Sequence, residues 1–500
     1  MKLQILLLLV ITQLANVSFG NVRLSFPFGN NMVLQREMNT PVRGTANPGE
    51  EVTVSFNGQT HSAIADNSGK WELFLDPMQA GGPYTFEAMS VNNTVTFSNV
   101  LVGDVWFCSG QSNMARPLRI HYTTDTLLTG IGNLRVADGK GQSAWKESTK
   151  EAVENITATG FYFARNLVLE LGVPIGIIEV AWGGTSLEQW LDPLTVSEIP
   201  YLTWGEEFGE RIVGERWPLM TDEIQFGIKG ILWYQGEANA NRNTLAPYYA
   251  EHLEYLIKGW RRQWGQGDIP FYIVQLPNFR AKQTVADPLN LHEGWPVVRE
   301  AQRLALNIPN TGLATTIDIG EADDIHPINK WDVGLRLALI ARTFLYGETD
   351  LVYSGPVYKS KSNEGNQIRL KFVNVGSGLV SATGENLEGF RVLDANGNYE
   401  WGNALIDGNE VVVTAPGLNN PTDVAYAWAN NPIISLYNAE GLPAGPFKTT
   451  GDQVSLTRFG CRQGAMDTTI TVHDARVCET GFLIPLESIS IGDYPSGEVK

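Results

Sequence analysis

Between Leu101 and Gly347, short apolar runs alternate with segments of helical periodicity, and this alternation constrains the fold more than any other feature. The runs lack the two-residue alternation of a half-exposed strand, which is typical of parallel strands covered on both faces. The five predicted strands are Val102–Cys108, Ile175–Ala181, Lys229–Gln235, Pro270–Leu276 and Gly312–Ile317. The sequence therefore predicts an α/β domain with a doubly wound sheet over residues 101–350.

Helical segments fill the intervals between the predicted strands. Apolar residues recur at helical spacing in each of them, and the first ends at a Gly-Val-Pro stop. The predicted helices are Thr159–Leu171, Pro247–Trp264, Trp295–Leu306 and Asn329–Leu345. The stretch from His121 to Lys150 shows neither pattern and is predicted to be a loop or an irregular insertion.

A β-strand sequence pattern flanks this domain on both sides. Residues 21–100 and 351–450 contain short alternating runs, bounded by turn signals such as Asn57-Gly58 and Asn396-Gly397. Strands at this spacing predict two smaller β domains of sandwich-like architecture. Residues 451–500 are a C-terminal extension to which the sequence assigns no role.

The first twenty residues have the pattern of a secretory signal peptide. Lys2 precedes a mostly apolar run from Leu3 to Ile11, and Ser18 and Gly20 place small residues before a cut at Asn21. The apolar run is shorter than the roughly 20 residues that a membrane span needs. The sequence predicts a secreted or periplasmic protein, and no later segment resembles a span.

The charge balance excludes one class of partner. The chain has 54 acidic and 36 basic residues, a net charge of −18. Loss of the leader with Lys2 leaves 35 basic residues against 54 acidic ones, a net charge of −19. A phosphate backbone would be repelled by this field, so no nucleic-acid partner is expected.

Cysteine and histidine usage offers no metal site. Cys461 and Cys478 lie close in sequence and either form one disulfide or stay unpaired. Cys108 lies in an apolar run and is predicted to be a buried hydrophobic residue. The six histidines are scattered, without the paired spacing of a zinc site, so no metal is predicted.

Polar residues follow the predicted strands, where an open α/β sheet binds its ligands. After the first strand, Gly110 precedes Ser112 at a turn that could present a hydroxyl, although a capping serine would look the same. After the second strand, Gly183 and Gly184 leave backbone N–H groups uncovered, as an oxyanion site requires and as a plain turn also would.

The remaining two strand ends supply an amide and a histidine. Gln235 ends the third strand, and Glu237, two residues later, could hold the loop by accepting backbone hydrogen bonds. After the last strand, His326 follows two aspartates, one of which could orient its ring. Each feature alone fits a polar turn, but together they supply every group needed for acyl transfer through a serine ester.

Four motifs in this chain resemble those of the sialate O-acetylesterase family, which belongs to the SGNH-type, flavodoxin-like hydrolases. The motifs are Gly110-Gln111-Ser112-Asn113-Met114, Trp182-Gly183-Gly184-Thr185-Ser186, Tyr234-Gln235-Gly236-Glu237 and Asp324-Ile325-His326-Pro327 followed by Asn329-Lys330. The resemblance runs from about Asn21 to Thr450. It implies a three-layer catalytic domain and a secreted carbohydrate O-acetylesterase without metal or organic cofactor.

The resemblance also implies roles for individual residues. Ser112 would be the nucleophile and His326 the base. The oxyanion donors would be the backbone N–H of Ser112 and of Gly183 or Gly184, and the side chain of Gln235 with Asn239 as its rival. The orienting aspartate is Asp323 or Asp324, and the usual spacing of three residues before the histidine favours Asp323.

The substrate is the least constrained part of this interpretation. A sialic acid carboxylate would need a local arginine, for which Arg116 and Arg119 are candidates, although both could be solvated surface residues. A neutral acetylated polysaccharide such as xylan would fit the acidic chain without such a pocket. A non-catalytic carbohydrate-binding protein is the alternative from another class. The sequence indicates no oligomeric state.

Overall fold

The computed structural model describes residues 21–121, 131–141, 144–220, 226–242, 244–286 and 294–451. The predicted signal peptide, the extension beyond residue 451, and Cys461 and Cys478 lie outside the described residues.

Seven strands make up the N-terminal region and lead into the central sheet. They are β1 (Val33–Gln35), β2 (Thr40–Thr45), β3 (Glu51–Phe56), β4 (Gln59–Ile64), β5 (Lys70–Leu75), β6 (Gly81–Met89) and β7 (Thr94–Gly110). In β3 and β5 every second residue is buried, as the alternating sequence predicts. Strands β2 and β5 pair with each other, and β3 pairs with both β4 and β6.

Strand β7 belongs to two sheets at once. Its first part pairs antiparallel with β6 and its second part runs parallel to strands of the catalytic domain. The expected domain boundary at residue 100 therefore falls inside a continuous strand. The fully buried Asp104 in β7 accepts hydrogen bonds from Arg36 at 3.0 Å and from the Tyr346 hydroxyl at 2.9 Å, which ties both sides together.

The central domain is a parallel sheet between two layers of helices. Its further strands are β8 (Leu134–Asp138), β9 (Lys146–Glu147), β10 (Ile175–Ala181), β11 (Glu207–Phe208), β12 (Arg211–Ile212), β13 (Gly230–Tyr234), β14 (Phe271–Val274) and β15 (Thr311–Ala314). The parallel strands follow the order β15-β14-β13-β7-β10-β8, with β9 antiparallel at the edge, and β11 and β12 form a separate hairpin.

Helices cover both faces of this sheet. They are α1 (Ser112–Ala115), α2 (Lys150–Val153), α3 (Ala158–Leu171), α4 (Pro193–Ser197), α5 (Glu237–Ala240), α6 (Tyr249–Trp264), α7 (Gly294–Leu304) and α8 (Trp331–Leu345). Successive β7 residues face opposite layers: Phe107 packs with α6 and α7, whereas Trp106 and Cys108 pack with α3 and α8. This three-layer, flavodoxin-like α/β architecture is the predicted one. Among the described helices, none is long and apolar enough to cross a membrane.

The prediction for His121 to Lys150 was wrong in part. Strand β8 lies in this stretch and pairs with β10, completing one side of the parallel sheet. The strand is only five residues long and contains the buried Arg135, which donates to the backbone carbonyls of Gly132 and Leu134. A buried arginine interrupts the apolar run by which the other strands were recognised.

Ten strands form the C-terminal β region. They are β16 (Val357–Glu364), β17 (Gln367–Val373), β18 (Leu379–Ser381), β19 (Phe390–Asp394), β20 (Tyr399–Trp401), β21 (Asn403–Asp407), β22 (Glu410–Thr414), β23 (Pro421–Tyr426), β24 (Leu436–Asn438) and β25 (Phe447–Lys448). Two four-stranded sheets, β16-β17-β22-β21 and β20-β19-β23-β25, share one apolar core, and β18 pairs with β24. The predicted sandwich-like character is therefore present.

One arginine joins this region to the catalytic domain. Arg299 of α7 is fully buried, and its guanidinium donates to four backbone carbonyls at 2.6 to 2.8 Å. Two of them, on Leu276 and Pro277, belong to the catalytic domain, and the other two, on Ala429 and Asn430, belong to the C-terminal region.

Candidate active site

The turn after β7 presents Ser112 at the carboxyl edge of the sheet. Gly110 has φ +134°, and a Cβ there would lie 2.1 Å from the carbonyl oxygen of Tyr234 on β13. A residue with a side chain fits neither this conformation nor this close approach. Ser112 opens the short helix α1 and remains partly exposed, so its hydroxyl is accessible.

His326 lies beside Ser112, although 214 positions separate them in the chain. Its Nε2 atom is 2.9 Å from the Ser112 Oγ atom. The loop between β15 and α8 carries the histidine to the strand end where β7 delivers the serine. This is the contact that a nucleophile and its general base require.

Asp324, rather than Asp323, approaches the other side of the imidazole. Its Oδ1 atom lies 3.6 Å from His326 Nδ1 and accepts a hydrogen bond from the His326 backbone N–H at 2.8 Å. Aspartate side chains often accept a hydrogen bond from the backbone N–H two residues later in the chain, and Asp324 does so here. The spacing argument favoured Asp323, and within the described residues no contact joins Asp323 to the ring.

Charges around His326 act on its pKa in opposite directions. Partial burial lowers the pKa of the imidazole, and the Arg116 and Lys330 cations lower it further. The Asp324 carboxylate raises that pKa. The net result is a pKa below the ordinary value, so His326 is neutral and able to accept a proton near neutral pH.

Gly183 lies beside Ser112, as a glycine of an oxyanion site would lie beside its nucleophile. A Cβ on Gly183 would stand 3.5 Å from the Ser112 Cβ atom. Ser112 is the first residue of α1, where N–H groups have no partner within the helix. In the described part of the chain, no hydrogen bond engages the N–H of Gly183 or Gly184 either.

Gln235 and Asn239 need a correction, because their amides are already engaged inside the protein. Gln235 is fully buried, and its Nε2 donates to Asn239 Oδ1 at 2.8 Å, to the Thr185 carbonyl at 3.0 Å and to Gln111 Oε1 at 3.2 Å. Asn239 Nδ2 donates to the Glu188 carboxylate at 3.0 and 3.2 Å. These hydrogen bonds connect the segments after β7, β10 and β13, and they already engage the donors of both amides.

The comparisons with known proteins agree with this geometry. A family model described as a carbohydrate esterase, sialic acid-specific acetylesterase, matches residues 102–339. Sialate O-acetylesterases of Homo sapiens and Pongo abelii are each 30% identical over 383 residues, covering 66% of this chain and 72% of the relative. The chain belongs to the sialate O-acetylesterase family. It is a carboxylic ester hydrolase, and the family supports the deacetylation of carbohydrates as its activity.

A solved structure extends this family likeness to most of the chain. A carbohydrate acetylesterase from Xanthomonas citri is 34% identical, with a TM-score of 0.77. The match covers 86% of this chain and 99% of that one, so it includes the β regions beside the esterase domain.

The sequence offered Arg116 and Arg119 as candidates for binding a substrate carboxylate, and only the charge of Arg116 acts on His326. Arg116 follows Ser112 by four residues, and its charge acts on His326. Its Nε atom is buried without a hydrogen-bond partner among the described residues. Arg119 instead donates to the Asn155 side chain at an exposed position and makes no described contact with Ser112 or His326.

Sequence reasoning missed the supporting residues of the esterase site. Glu188 is fully buried and bonds Asn239 and His252, and Asn113, which directly follows Ser112, is also fully buried. Asn113 and Lys330 lie inside the recognised motifs, but no spacing signal indicates what their side chains contact.

In the described part of the chain, no group of three or more potential metal ligands comes together.

Proposed function

We propose that this chain is a serine esterase that removes O-acetyl groups from carbohydrates, with Ser112 as nucleophile and His326 as general base. The 2.9 Å contact between Ser112 Oγ and His326 Nε2 carries this proposal. Asp324 orients the ring from its Nδ1 side. A carbohydrate-binding protein without catalysis would not need this contact. The signal peptide pattern over residues 1–20 supports secretion.

In the first half of the reaction, Ser112 Oγ attacks the acetyl carbonyl carbon while His326 Nε2 takes its proton. The tetrahedral oxyanion is stabilised by the N–H groups of Ser112 and Gly183. The intermediate collapses to the acetyl-enzyme, and the sugar oxygen leaves with the proton from His326. Water, activated by His326, then attacks the acetyl-enzyme and releases acetate.

Replacement of the nucleophile tests this proposal. We expect Ser112→Ala to lower kcat for acetate release from an acetylated sugar by about 10⁴-fold or more. Ser197→Ala is the matched control, because Ser197 is exposed and bonds only the neighbouring Leu194 carbonyl among the described residues. Thermal unfolding and labelling with a fluorophosphonate would accompany the kinetics. A folded Ser112→Ala protein with wild-type turnover would refute the mechanism.

The preferred substrate in this proposal is an O-acetylated sialic acid. Arg116 directly follows the short helix that Ser112 opens, its charge acts on His326, and its Nε atom lacks an internal partner among the described residues. A guanidinium in this position suits the sialic acid carboxylate. The acidic chain as a whole does not attract anions, so this local cation would supply the recognition.

Arg116→Gln tests the substrate assignment. We expect kcat/KM for 9-O-acetylated sialic acid to fall by about tenfold or more, since a hydrogen-bonded ion pair is lost. The value for acetylated xylo-oligosaccharide should change less, and comparing both substrates at one pH cancels any change in His326. Arg119→Gln is the matched control. Equal losses on both substrates, or wild-type preference for the xylan fragment, would favour an acetylxylan esterase instead.

An acetylxylan or other polysaccharide acetylesterase is the second candidate, and one observation favours it. Trp182, directly before Gly183, is 39% exposed, and the Arg216 guanidinium lies 5.0 Å from its ring centre. An exposed tryptophan next to the oxyanion site is a surface on which a neutral sugar ring could pack.

A further inference from the structure

Two buried side chains hold the loop of His326 from opposite sides. Asn113 Nδ2 donates to the carbonyl of Ile325, the residue before the histidine, at 2.9 Å. Lys330 Nζ donates to the carbonyl of Pro327, the residue after it, at 2.5 Å. Asn113 is 0% exposed and Lys330 is 1% exposed, so water does not compete for either bond.

Glu237 links these two side chains. It is 1% exposed, and its Oε1 atom accepts a second hydrogen bond from Asn113 Nδ2. Its Oε2 atom has no hydrogen-bond partner among the described residues, so its remaining attraction is electrostatic, and Lys330 supplies it. Burial raises the pKa of Glu237, while Asn113 and the Lys330 charge lower it.

These contacts fix the separation between nucleophile and base. Asn113 follows Ser112 directly, so one residue joins the serine turn to the backbone beside His326. The imidazole itself is held less firmly, because Asp324 is half exposed and stands 3.6 Å from Nδ1. The position of the ring therefore depends on the backbone carbonyls at Ile325 and Pro327.

We propose that Asn113, Glu237 and Lys330 form a buried clamp that places His326 against Ser112, and that all three are positioning residues of the hydrolytic reaction. This inference rests on the proposed roles of Ser112 and His326. A carboxylate and an ammonium group are costly to bury, and each offsets the cost of the other here. Removing one member leaves the others without their partners and releases the loop.

The clamp also adds a positive charge near the base. Burial and the Arg116 charge lower the pKa of Lys330, whereas Glu237, Glu321 and Asp324 raise it, and the net result is a pKa of about 7. The groups that act on the pKa of His326 are Arg116, Asp324 and Lys330, and His121 lies in the same cluster. Because the Lys330 cation lowers the pKa of His326, its loss raises that pKa, and proton acceptance then requires a higher pH.

Two variants and a matched control test the clamp. Asn113→Ala removes the bond to Ile325, and Lys330→Met removes both the bond to Pro327 and the charge. Asn438→Ala is the control, because Asn438 is a fully buried asparagine whose bonds to Ser354 and Leu442 lie in the C-terminal region. For each protein, kcat, KM, the pH profile of kcat/KM and thermal unfolding are measured on one acetylated sugar.

We expect Asn113→Ala to lower kcat by about tenfold to 100-fold with KM within about twofold, since small misplacements of a catalytic group are costly. Asn438→Ala should lose comparable thermal stability with kcat within about twofold. Lys330→Met should shift the acid limb of kcat/KM to higher pH. If Asn113→Ala does not fold, Glu237→Gln, which keeps an acceptor for Asn113 but removes the carboxylate that attracts Lys330, should lower kcat with KM within about twofold.

The clamp would be overturned if folded Asn113→Ala kept the wild-type kcat or lost no more kcat than Asn438→Ala. It would also be overturned if the acid limb of kcat/KM stayed in place in Lys330→Met. The proposed esterase mechanism fails separately, by absence of acetate release from the wild-type protein or by activity in Ser112→Ala.

Discussion

At the scale of single residues, the reactivity of His326 is set by the balance of charges around its ring. Two cations and partial burial lower its pKa, and one carboxylate raises it. Asp324 is that carboxylate, and it is also the group closest to Nδ1 at 3.6 Å. Its side chain is 51% exposed, so water screens its charge and its contribution is modest compared with a buried aspartate.

Asp324→Asn separates orientation from charge. Since Asp324 raises the pKa of His326, its neutralisation lowers that pKa, and the acid limb of kcat/KM shifts to lower pH. We expect kcat to fall by about tenfold to 100-fold, because the imidazolium formed in the reaction loses its partner. The pH profile is measured from acetate release.

Asp323→Asn is the control for this change and should leave the acid limb in place. The reverse result, a loss in Asp323→Asn alone, would restore the assignment that sequence spacing favoured. Spacing could not decide the question, because it does not show that Asp324 bonds the backbone N–H of His326 and so turns toward the ring.

At the scale of elements, the loops after β7, β10 and β13 form a single unit. Gln111, Thr185 and Asn239 come from these three loops, and all accept from the Gln235 amide. The loop that presents Gly183 is therefore braced from beneath.

Asn239→Ala tests whether this amide braces the loop or binds the oxyanion. The change leaves the Leu187 N–H without its acceptor and leaves Glu188 with His252 alone, so we expect the free energy of unfolding to fall by about 1–3 kcal/mol. Urea denaturation measures this loss. If the amide only braces the loop, kcat should fall by less than the loss of an oxyanion donor would cause. An unchanged unfolding free energy with a 10²- to 10³-fold lower kcat would instead identify a direct oxyanion donor.

The elements also show how far the sequence predicts the fold. Strand β10 occurs at its predicted residues, and helix α3 begins one residue early, because buried parallel strands and amphipathic helices leave strong patterns. Strand β8 gave no such pattern. The amide of Gln235 was predicted to be an oxyanion donor because Gln235 lies at the end of a strand. Its position along the chain does not show that Thr185 and Asn239 accept hydrogen bonds from this amide.

At the scale of the whole molecule, Arg299 connects the catalytic domain to the C-terminal β region. Burial lowers the pKa of its guanidinium to about 9, and all four bonds that it donates go to carbonyl oxygens. An arginine held in this way depends on both regions being in place at once.

Arg299→Met keeps the length of the side chain but leaves the buried carbonyls of Leu276, Pro277 and Ala429 unpaired, while the Asn430 carbonyl keeps the Phe279 N–H. We expect the free energy of unfolding to fall by about 3 kcal/mol or more, and the C-terminal region to become more sensitive to limited proteolysis. Arg369→Met is the control, since its partners Glu364, Asp407 and Glu410 form an exposed cluster, and little change is expected. Equal stability of both variants would contradict the connecting role.

The continuous strand β7 has a consequence for how the protein can be divided. Its 17 residues carry hydrogen bonds of two sheets along one uninterrupted stretch of backbone. A cut near residue 100 would leave most of the β6 pairs intact, but it would separate β1 from residues 101–103 of β7, with which it pairs. Excision of the N-terminal β region would therefore remove β1 from a strand that also pairs with β10 and β13 of the esterase sheet.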